Sequence, residues 1–206
     1  MIVDLHTHEL RNSPDSHQKL EDIVEEAKAA GLEGIAITDH DSMGLKEFAA
    51  EYAKKVNFPI FVGVEYFSLQ GDIIAFGIDE FPKERINAQD FINYVHEQGG
   101  VTIACHPFRK NNRGLEERLA TIENLTCVEV LNGSTLKEEN DLAMEYCTKR
   151  GFKPTGGSDS HFVDRVGIYA TKLEGYAQTT EELVELIKNG KTEPIEVKGP
   201  MPFDWI

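Results

Sequence analysis

The feature that most constrains the fold is the alternation of short apolar, strand-like runs with longer amphipathic segments. Strands that alternate with helices favour parallel strands in an α/β architecture. The helices have local end signals, since glycines follow several of them and the segment from Thr179 to Glu182 resembles a capping box. The predicted strands are 2–5, 34–38, 59–65, 73–78, 101–105, 127–131, 153–155 and 167–171, and the predicted helices are 20–30, 45–54, 88–97, 138–149 and 181–188.

Length and composition favour one globular domain over residues 1–206. A chain of 206 residues with 40% hydrophobic and 28% charged residues can bury a sizeable core without disulfides. These values exclude a disordered or collagen-like chain. No composition shift, internal repeat or low-complexity tract divides the sequence, and we expect residues 199–206 to be a docked or frayed tail.

The net charge bounds the class of binding partner. The chain carries 21 basic and 36 acidic residues, a formal charge of −15. Such a field repels long phosphate backbones, so duplex nucleic acid is not an expected partner. Small phosphorylated molecules and short oligonucleotides are still compatible with this charge, because a bound metal ion can invert the local potential.

Cysteine usage and hydropathy indicate a cytoplasmic protein. No stretch approaches the roughly 18 uninterrupted apolar residues of a membrane span, and we find no signal peptide, so no membrane partner is expected. The three cysteines, Cys105, Cys127 and Cys147, are scattered and lack Cys-x-x-Cys spacing. We therefore expect them to be reduced, buried thiols.

Reactive side chains follow the ends of six predicted strands. The carboxyl ends of parallel strands share one edge, where loops build active sites, so these residues should converge. Glu129 and Asn132, at the end of one such strand, are the least specific members and could hydrogen-bond to ligands. The strand-end set is His6, His8, Asp39, His40, Glu65, His106, Glu129, Asn132, Asp159 and His161.

Two pairs of side chains predict a metal site. His6 and His8 are two residues apart in extended chain and project to one side, as do Asp159 and His161. Histidines combined with carboxylates suit zinc, manganese or iron rather than calcium. At least eight plausible ligands exceed the four that one zinc ion takes, so we expect more than one ion, with Glu65 as the natural bridge.

Several neighbouring residues compete for roles at this site. Asp15, in the loop after the first strand, could swing over the site, and nearby His17 competes with it. Of Asp39, His40 and Asp41 at most one should be a ligand, because neighbours in extended chain point to opposite faces, and we choose His40. Asp4 is expected to orient a ligand imidazole. His96, within a predicted helix, is interpreted as a surface residue.

The motifs in which these residues stand resemble those of the PHP (polymerase and histidinol phosphatase) superfamily. The similar segments occur in the family's order and span residues 4 to 161. They are Asp4-Leu5-His6-Thr7-His8, Thr38-Asp39-His40-Asp41, Gly63-Val64-Glu65, His106-Pro107 and Gly157-Ser158-Asp159-Ser160-His161.

The resemblance implies a distorted (β/α)7 barrel, similar to a TIM barrel, with two or three divalent ions at the C-terminal ends of the strands. It implies that His6, His8, Glu65 and Asp159 hold the first ion, Glu65 and His106 the second, and Asp15, His40 and His161 the third. Two departures stand out. Ile74 occupies the place where many members have a further histidine, and the first loop is one residue longer than usual, which bears on Asp15.

The leading functional hypothesis is hydrolysis of a phosphate ester, in which bridged zinc, manganese or iron ions lower the pKa of a bound water and clamp phosphoryl oxygens. Arg109 would bind the substrate phosphate with its forked donors, as in similar family members. Asp159 and His161 are the catalytic candidates, with the general acid left open. The expected substrate is a small phosphorylated metabolite, a nucleotide or a short single-stranded oligonucleotide. The alternatives are metal-dependent amide hydrolysis and a non-catalytic metal-binding module, and the sequence leaves the oligomeric state open.

Overall fold

The computed structural model describes residues 1–199 and contains the predicted alternation of strands and helices. All eight predicted strands and five predicted helices have a counterpart, and the predicted strand over 59–65 is divided in two. The strands are β1 Ile2–Asp4, β2 Gly34–Ile37, β3 Ile60–Val62, β4 Val64–Phe67, β5 Asp72–Phe76, β6 Val101–Ala104, β7 Cys127–Asn132, β8 Lys153–Gly157, β9 Tyr169–Leu173 and β10 Thr192–Glu196. The helices are α1 Leu20–Ala29, α2 Lys46–Val56, α3 Ala88–Glu97, α4 Lys137–Arg150 and α5 Thr180–Asn189.

The expected distorted (β/α)7 barrel is wrong. Within residues 1–199 the strands form two mixed five-stranded sheets, in the orders β10-β9-β1-β2-β3 and β4-β5-β6-β7-β8, and no closed barrel is seen. Runs β1-β2-β3 and β6-β7-β8 are parallel, as expected. However, β4, β5 and β6 pair antiparallel, and so do β1, β9 and β10.

Gly63 explains why the predicted strand 59–65 is divided between the two sheets. A Cβ atom there would lie 2.6 Å from the Ala75 carbonyl oxygen and 2.6 Å from the Phe76 ring. Only glycine allows this approach, so the chain crosses here from β3 of one sheet to β4 of the other. The following connection to β5 is too short for a helix and forms a hairpin, which sets antiparallel pairing.

Two isolated bridges join the sheets at the edge where β1, β2 and β8 end. Thr7 pairs with Ser160, and His40 pairs with Glu65. Both bridges involve or adjoin predicted metal ligands. The edge that carries the reactive side chains is therefore the place where the two sheets meet.

A core lies between the sheets and helices cover their outer faces. The inner cluster takes Val3 and Phe61 from the first sheet and Ile74, Phe76 and Ile103 from the second, all at most 1% exposed. Each such side chain removed from water contributes roughly 1.5–3 kcal/mol. Helices α1 and α2 pack on the first sheet, and α3 and α4 on the second. The packing gives a rigid frame beneath the site.

Local signals read from the sequence are present. Thr179 caps α5, with its Oγ1 accepting a hydrogen bond from Glu182 N at 3.3 Å, and Gly151 ends α4 at φ +72°. All three cysteines are free and buried. Among the described residues no helix is long and apolar enough to cross a membrane. The tail expected at 199–206 lies, apart from Gly199, outside the described residues.

Candidate metal centre

The structure brings all eight predicted ligands together at one edge of the two sheets. His6 and His8 follow β1, His40 follows β2, and Glu65 lies in β4. His106 follows β6, and Asp159 and His161 follow β8. Asp15 reaches the cluster from the loop between β1 and α1. The predicted convergence at the C-terminal ends of parallel strands thus occurs even though the barrel does not.

Glu65 lies at the centre of the cluster, and its two oxygens face different histidines. Its Oε1 is 3.0 Å from His106 Nε2 and 3.6 Å from His6 Nε2. Its Oε2 is 2.7 Å from His40 Nδ1 and 3.4 Å from His8 Nε2. A carboxylate with histidines on both sides has the geometry of a bridge between two cations.

Asp159 faces the first histidine pair. Its Oδ1 lies 3.4 Å from His6 Nε2 and 3.3 Å from His8 Nε2, and its amide donates to the His6 carbonyl oxygen at 2.8 Å. The backbone of Asp159 is left-handed at φ +51°, and that of His106 at φ +29°. Strained backbone at non-glycine residues costs energy and is typical of functional sites.

Three overlapping groups of ligand atoms lie close enough together to hold metal ions. In each group the candidate ligand atoms are within 4.8 Å of one another. The groups are His6, His8 and Asp159; His6, Glu65 and His106; and His8, His40 and His161.

Asp15, and not His17, contacts the third group. Its Oδ2 lies 3.2 Å from His40 Nε2 and 3.3 Å from His161 Nε2. His17 is exposed and stacks on Phe162 with a ring-centroid distance of 4.8 Å. The longer first loop therefore still delivers a carboxylate to the cluster, although the Asp15 side chain is 57% exposed.

The arrangement of donor atoms fits divalent cations. His40 Nδ1 and Glu65 Oε2 are only 2.7 Å apart, yet both are buried atoms without a properly oriented hydrogen bond. The Nε2 atoms of His6 and His8 lie 3.1 Å apart and face each other. Buried polar atoms are normally satisfied by partners, so atoms that converge without them indicate a site for cations with nitrogen and oxygen ligands.

The electrostatics keep most ligands in a metal-binding form at neutral pH. Burial raises the pKa values of Glu65 and Asp159, but the surrounding histidines, and Arg109 beside Asp159, outweigh it and hold both pKa values well below the usual range. Burial lowers the pKa of His8 to about 3. Burial also lowers the pKa of His40, but Glu65 and Asp15 offset it and raise the value to about 9. At His6 burial is likewise outweighed by Asp159 and the other nearby carboxylates, which raise its pKa well above the usual value. Without metal both His6 and His40 are therefore protonated, and cations must displace those protons.

Carboxylates behind the ligands fix their orientation. Glu129 Oε1 lies 3.0 Å from His6 Nδ1, so the Nε2 atom of that ring points into the cluster. Its Oε2 accepts hydrogen bonds from the His106 amide at 2.9 Å and from Asn132 Nδ2 at 2.8 Å. Asp39 binds the first loop instead, accepting from the Glu9 amide at 2.6 Å and Ser13 Oγ at 2.9 Å.

Asp4 has a different partner from the one expected. Its carboxylate accepts backbone N–H groups of His6, Ser158 and Gly167 at 3.2, 2.9 and 3.0 Å and does not orient an imidazole through a hydrogen bond. It joins the end of β1 to the loop after β8. His96, as expected, is exposed on α3.

Arg109 lies in the cluster, where its guanidinium is held on three sides. It donates to Asp159 Oδ2, to Asn132 Oδ1 at 2.6 Å and, through Nε, to Thr135 Oγ1 at 3.1 Å. The cluster opens into a cavity of about 150 Å³. The residues lining it are Asp15, His40, Glu65, Asp72, His106, Arg109, Asn111, Arg113, Asp159 and His161.

Sequence reasoning missed Asp72 and Arg113. Asp72 is 1% exposed, and its Oδ2 accepts a hydrogen bond from Arg113 Nε at 2.6 Å. A signal was present, since Asp72 is a charged residue directly before the predicted apolar strand 73–78, whereas Arg113 stood in a polar connector with no pattern to single it out. Ile74 is buried in the core between the sheets, farther from the cavity than Asp72.

Comparison with known proteins agrees with the motifs. A family model described as PHP-associated matches residues 137–192. The uncharacterized protein MJ0417 of Methanocaldococcus jannaschii is 30% identical over 175 residues, 81% of this chain and 68% of that protein. The uncharacterized protein MJ1587 of the same organism is 29% identical over 141 residues, which are 64% of this chain and 82% of that protein.

Solved structures share the fold at low sequence identity. A candidate metal-dependent phosphoesterase from Bifidobacterium adolescentis superposes with a TM-score of 0.68, at 18% identity over 90% of this chain and 95% of that one. An amidohydrolase from Chromobacterium violaceum with bound sulfate superposes with a TM-score of 0.66, at 17% identity over 94% of this chain and 97% of that one. A lesion-specific endonuclease from Pyrococcus furiosus gives 0.71, at 17% identity over 93% of this chain and 57% of that one. With its ordered motifs, its converging ligands and these matches, the chain belongs to the PHP superfamily.

Proposed function

We propose that the protein is a metal-dependent phosphoesterase, a hydrolase that splits a phosphoric ester bond with water. The observation that carries this proposal is the small cavity of about 150 Å³, in which the metal-ligand cluster and two arginines, Arg109 and Arg113, face the same space. Ligands for cations beside fixed guanidinium groups are the combination that a phosphoryl group requires.

The chain's own residues would bind and orient the substrate. Zinc, manganese or iron ions, two or three in number, would supply an activated water and neutralise the phosphoryl oxygens when bound. Asn132 and Thr135 hold the Arg109 guanidinium through Nη2 and Nε, and Nη2 also donates to Asp159, so Nη1 would receive an anionic oxygen from a preset position. Asp159 is kept ionised by His6 and Arg109 and cannot donate a proton to the leaving oxygen. His161, 22% exposed at the rim, would hold the third ion through Nε2, because its Nδ1 lies 3.1 Å from the Asp159 carbonyl oxygen.

The cavity suggests which part of the substrate is recognised. A volume of about 150 Å³ holds a phosphate group and little else, so the remainder of the substrate would lie across the rim. A small phosphorylated metabolite, a nucleotide or a short single strand fits this geometry, whereas the charge of −15 disfavours a long duplex. The fold shared with a candidate phosphoesterase and with an endonuclease supports this range of substrates.

Amide hydrolysis is the second candidate, and the fold shared with an amidohydrolase favours it. A neutral amide does not need two arginines beside it in a phosphate-sized cavity. We therefore rank amide hydrolysis below phosphoester hydrolysis. The third possibility is a non-catalytic metal-binding module. The complete set of eight converging ligands beside an open cavity argues against that reading.

The test is phosphate release by protein reconstituted with Mn²⁺ or Zn²⁺. The panel contains nucleoside bisphosphates, 5′-phosphorylated oligonucleotides, histidinol phosphate and a chromogenic phosphate ester. We expect turnover of at least one compound, with kcat/KM reduced about 100-fold or more by Asp159→Asn and by Arg109→Gln. Asp79→Asn, which removes a fully exposed carboxylate beyond the end of β5 remote from the cluster, is the charge-matched control and should retain activity.

Each other outcome assigns a different function. Release of amine from amide substrates, without phosphate release, would move the assignment to amide hydrolysis. Metal binding without turnover of any compound would favour the non-catalytic module.

A further inference from the structure

Asp72 occupies a prominent position that neither the ligand set nor the proposed chemistry uses. It begins β5 directly opposite Phe67 of β4, while Glu65 stands opposite Ile74. Because side chains alternate along a strand and cross-strand partners share a face, Asp72 and Glu65 lie on the same face of the sheet. Asp72 is one level nearer the cavity than Ile74, and it lines the cavity beside His106.

The two carboxylate oxygens of Asp72 have different surroundings. Its Oδ2 accepts the Arg113 Nε hydrogen bond at 2.6 Å and lies 3.8 Å from His106 Nε2. Its Oδ1 is buried and has no hydrogen-bond partner within the described residues. A buried carboxylate oxygen without a partner is costly, so a bound group is expected to satisfy it.

Arg113 is built into this position. Its carbonyl oxygen accepts the Asp72 amide at 2.7 Å, and its guanidinium lies over the Phe67 ring at 4.4 Å from the centroid. The segment after β6 is therefore tied to the start of β5 by both backbone and side chain. The guanidinium can offset the added negative charge of a carboxylate beside Glu65.

We propose that Asp72 is a metal ligand that completes the cation position formed by Glu65 and His106, with Arg113 as its counter-ion. The inference rests on the proposed multi-metal site. Asp72 would give the second ion, at Glu65 and His106, an additional ligand. Ile74, which lies in the core between the sheets, cannot supply one. A carboxylate oxygen is a harder ligand than an imidazole nitrogen. This position should therefore prefer Mn²⁺ or Fe²⁺ over Zn²⁺ more than a position with a second imidazole would.

The competing explanation is that Asp72 only orients Arg113 toward the substrate. In that case removing either side chain would raise KM and leave metal binding unchanged. Metal binding measured directly therefore separates the two roles.

The experiment counts ions per chain after equilibrium dialysis against Mn²⁺, by elemental analysis, and measures each Kd by titration calorimetry. The proteins are the unaltered chain, Asp72→Asn, Asp72→His, Arg113→Gln and the charge-matched control Asp79→Asn, whose carboxylate is exposed at the opposite end of β5. We expect Asp72→Asn to bind one ion fewer, or to bind one ion at least about tenfold more weakly. Asp72→His should keep the ion count and shift the preference at that position toward Zn²⁺, and Asp79→Asn should equal the unaltered chain.

Equal ion counts and Kd values for the unaltered chain and folded Asp72→Asn would overturn the inference and leave the proposed function standing. If Asp72→Asn does not fold by circular dichroism, Asp72→His decides, because an unchanged Mn²⁺ to Zn²⁺ preference there contradicts the assignment. An unaltered chain that binds no Mn²⁺ would contradict both the inference and the proposed function.

Discussion

At the scale of single residues, the site depends on side chains that would not themselves touch a metal ion. Glu129 receives contacts from His6, from the His106 amide and from Asn132. One carboxylate thus orients two candidate ligands that are 100 residues apart in the sequence. Such partners of metal-binding imidazoles affect metal affinity nearly as strongly as the ligands do.

Glu129→Gln tests this positioning role. The amide cannot accept hydrogen bonds at both ends, so His6 loses its fixed orientation or the His106 amide loses its partner. We expect metal affinity to fall about 10- to 100-fold, with the fold retained. Calorimetric titration with Mn²⁺ and a thermal melt of the metal-free variant measure the two effects. Unchanged affinity would show that Glu129 does not orient the ligands.

Asp4 makes the stability of the metal-free protein depend on pH. Burial raises its pKa to about 6 from 3.8, against the lowering effect of its hydrogen bonds from Ser158, Gly167 and His6. Between about pH 4 and pH 6 the folded state therefore holds more protons than the unfolded state, and the contribution of Asp4 to stability falls as pH rises, by about 3 kcal/mol in all.

Urea unfolding from pH 4 to pH 7 in the presence of a chelator measures this effect. The free energy of unfolding of the unaltered chain should decrease as pH rises, relative to that of Asp4→Asn, which has no titrating carboxyl group at position 4. A pH-independent difference between the two proteins would contradict the assignment.

At the scale of elements, Lys153 links a strand to the end of a helix. Its Nζ donates to the carbonyl oxygens of Ile187, Lys188 and Gly190 at 2.5, 2.6 and 2.9 Å. These acceptors are at the C-terminal end of α5, where carbonyl groups lack partners within the helix and a positive charge is favourable. The contact fixes α5 against β8, whose other end leads to Asp159.

Lys153→Met should remove this link while keeping the aliphatic length of the side chain. Unsatisfied carbonyl oxygens cost about 1–3 kcal/mol, so we expect a loss of that size in the free energy of unfolding, measured in urea. Lys149→Met is the matched control, because Lys149 pairs with Glu145 on an exposed face of α4 and its loss should lower the free energy of unfolding far less. Equal effects of the two substitutions would contradict the role of Lys153.

At the scale of the whole molecule, the metal centre joins the two sheets. The ligands His6, His8 and His40 follow strands of one sheet, whereas Glu65, His106, Asp159 and His161 belong to the other. Hydrogen bonds between the sheets at this edge include the isolated bridge of His40 with Glu65 and the bond from the Ser158 amide to Asp4. Bound cations would therefore hold the sheets together as well as serve the reaction.

Metal ions should accordingly stabilise the folded chain. At a Mn²⁺ concentration of 100 times Kd we expect about 2.7 kcal/mol of added stability per ion, a rise in Tm of roughly 5–10 °C. Differential scanning calorimetry with Mn²⁺ and with a chelator measures the shift. Glu65→Gln, which removes the proposed bridge, should reduce the shift by half or more, and an equal shift in that variant would exclude Glu65 as a ligand.

How much could be predicted from the sequence differs between the site and the fold. Ligands such as His6 and His8, two residues apart on a short strand, are visible because a strand has a period of two. Asp72 was missed because its approach to His106 depends on the antiparallel register of β5 and β6, which the sequence pattern does not specify. Asp4 was assigned the wrong partner because the amides of Ser158 and Gly167 are more than 150 residues away along the chain.

Most elements, though not β10, can be predicted from the sequence alone, because hydrophobic period, caps and glycines act over a few residues. The sequence also placed reactive side chains at strand ends, and their order identified the family. How the strands associate follows from tertiary contacts. Gly63 divides one predicted strand between two sheets, and the strands form two mixed sheets with four antiparallel pairings instead of the expected closed barrel. Strand direction and sheet closure depend on contacts between distant segments, whose free energies no local pattern contains.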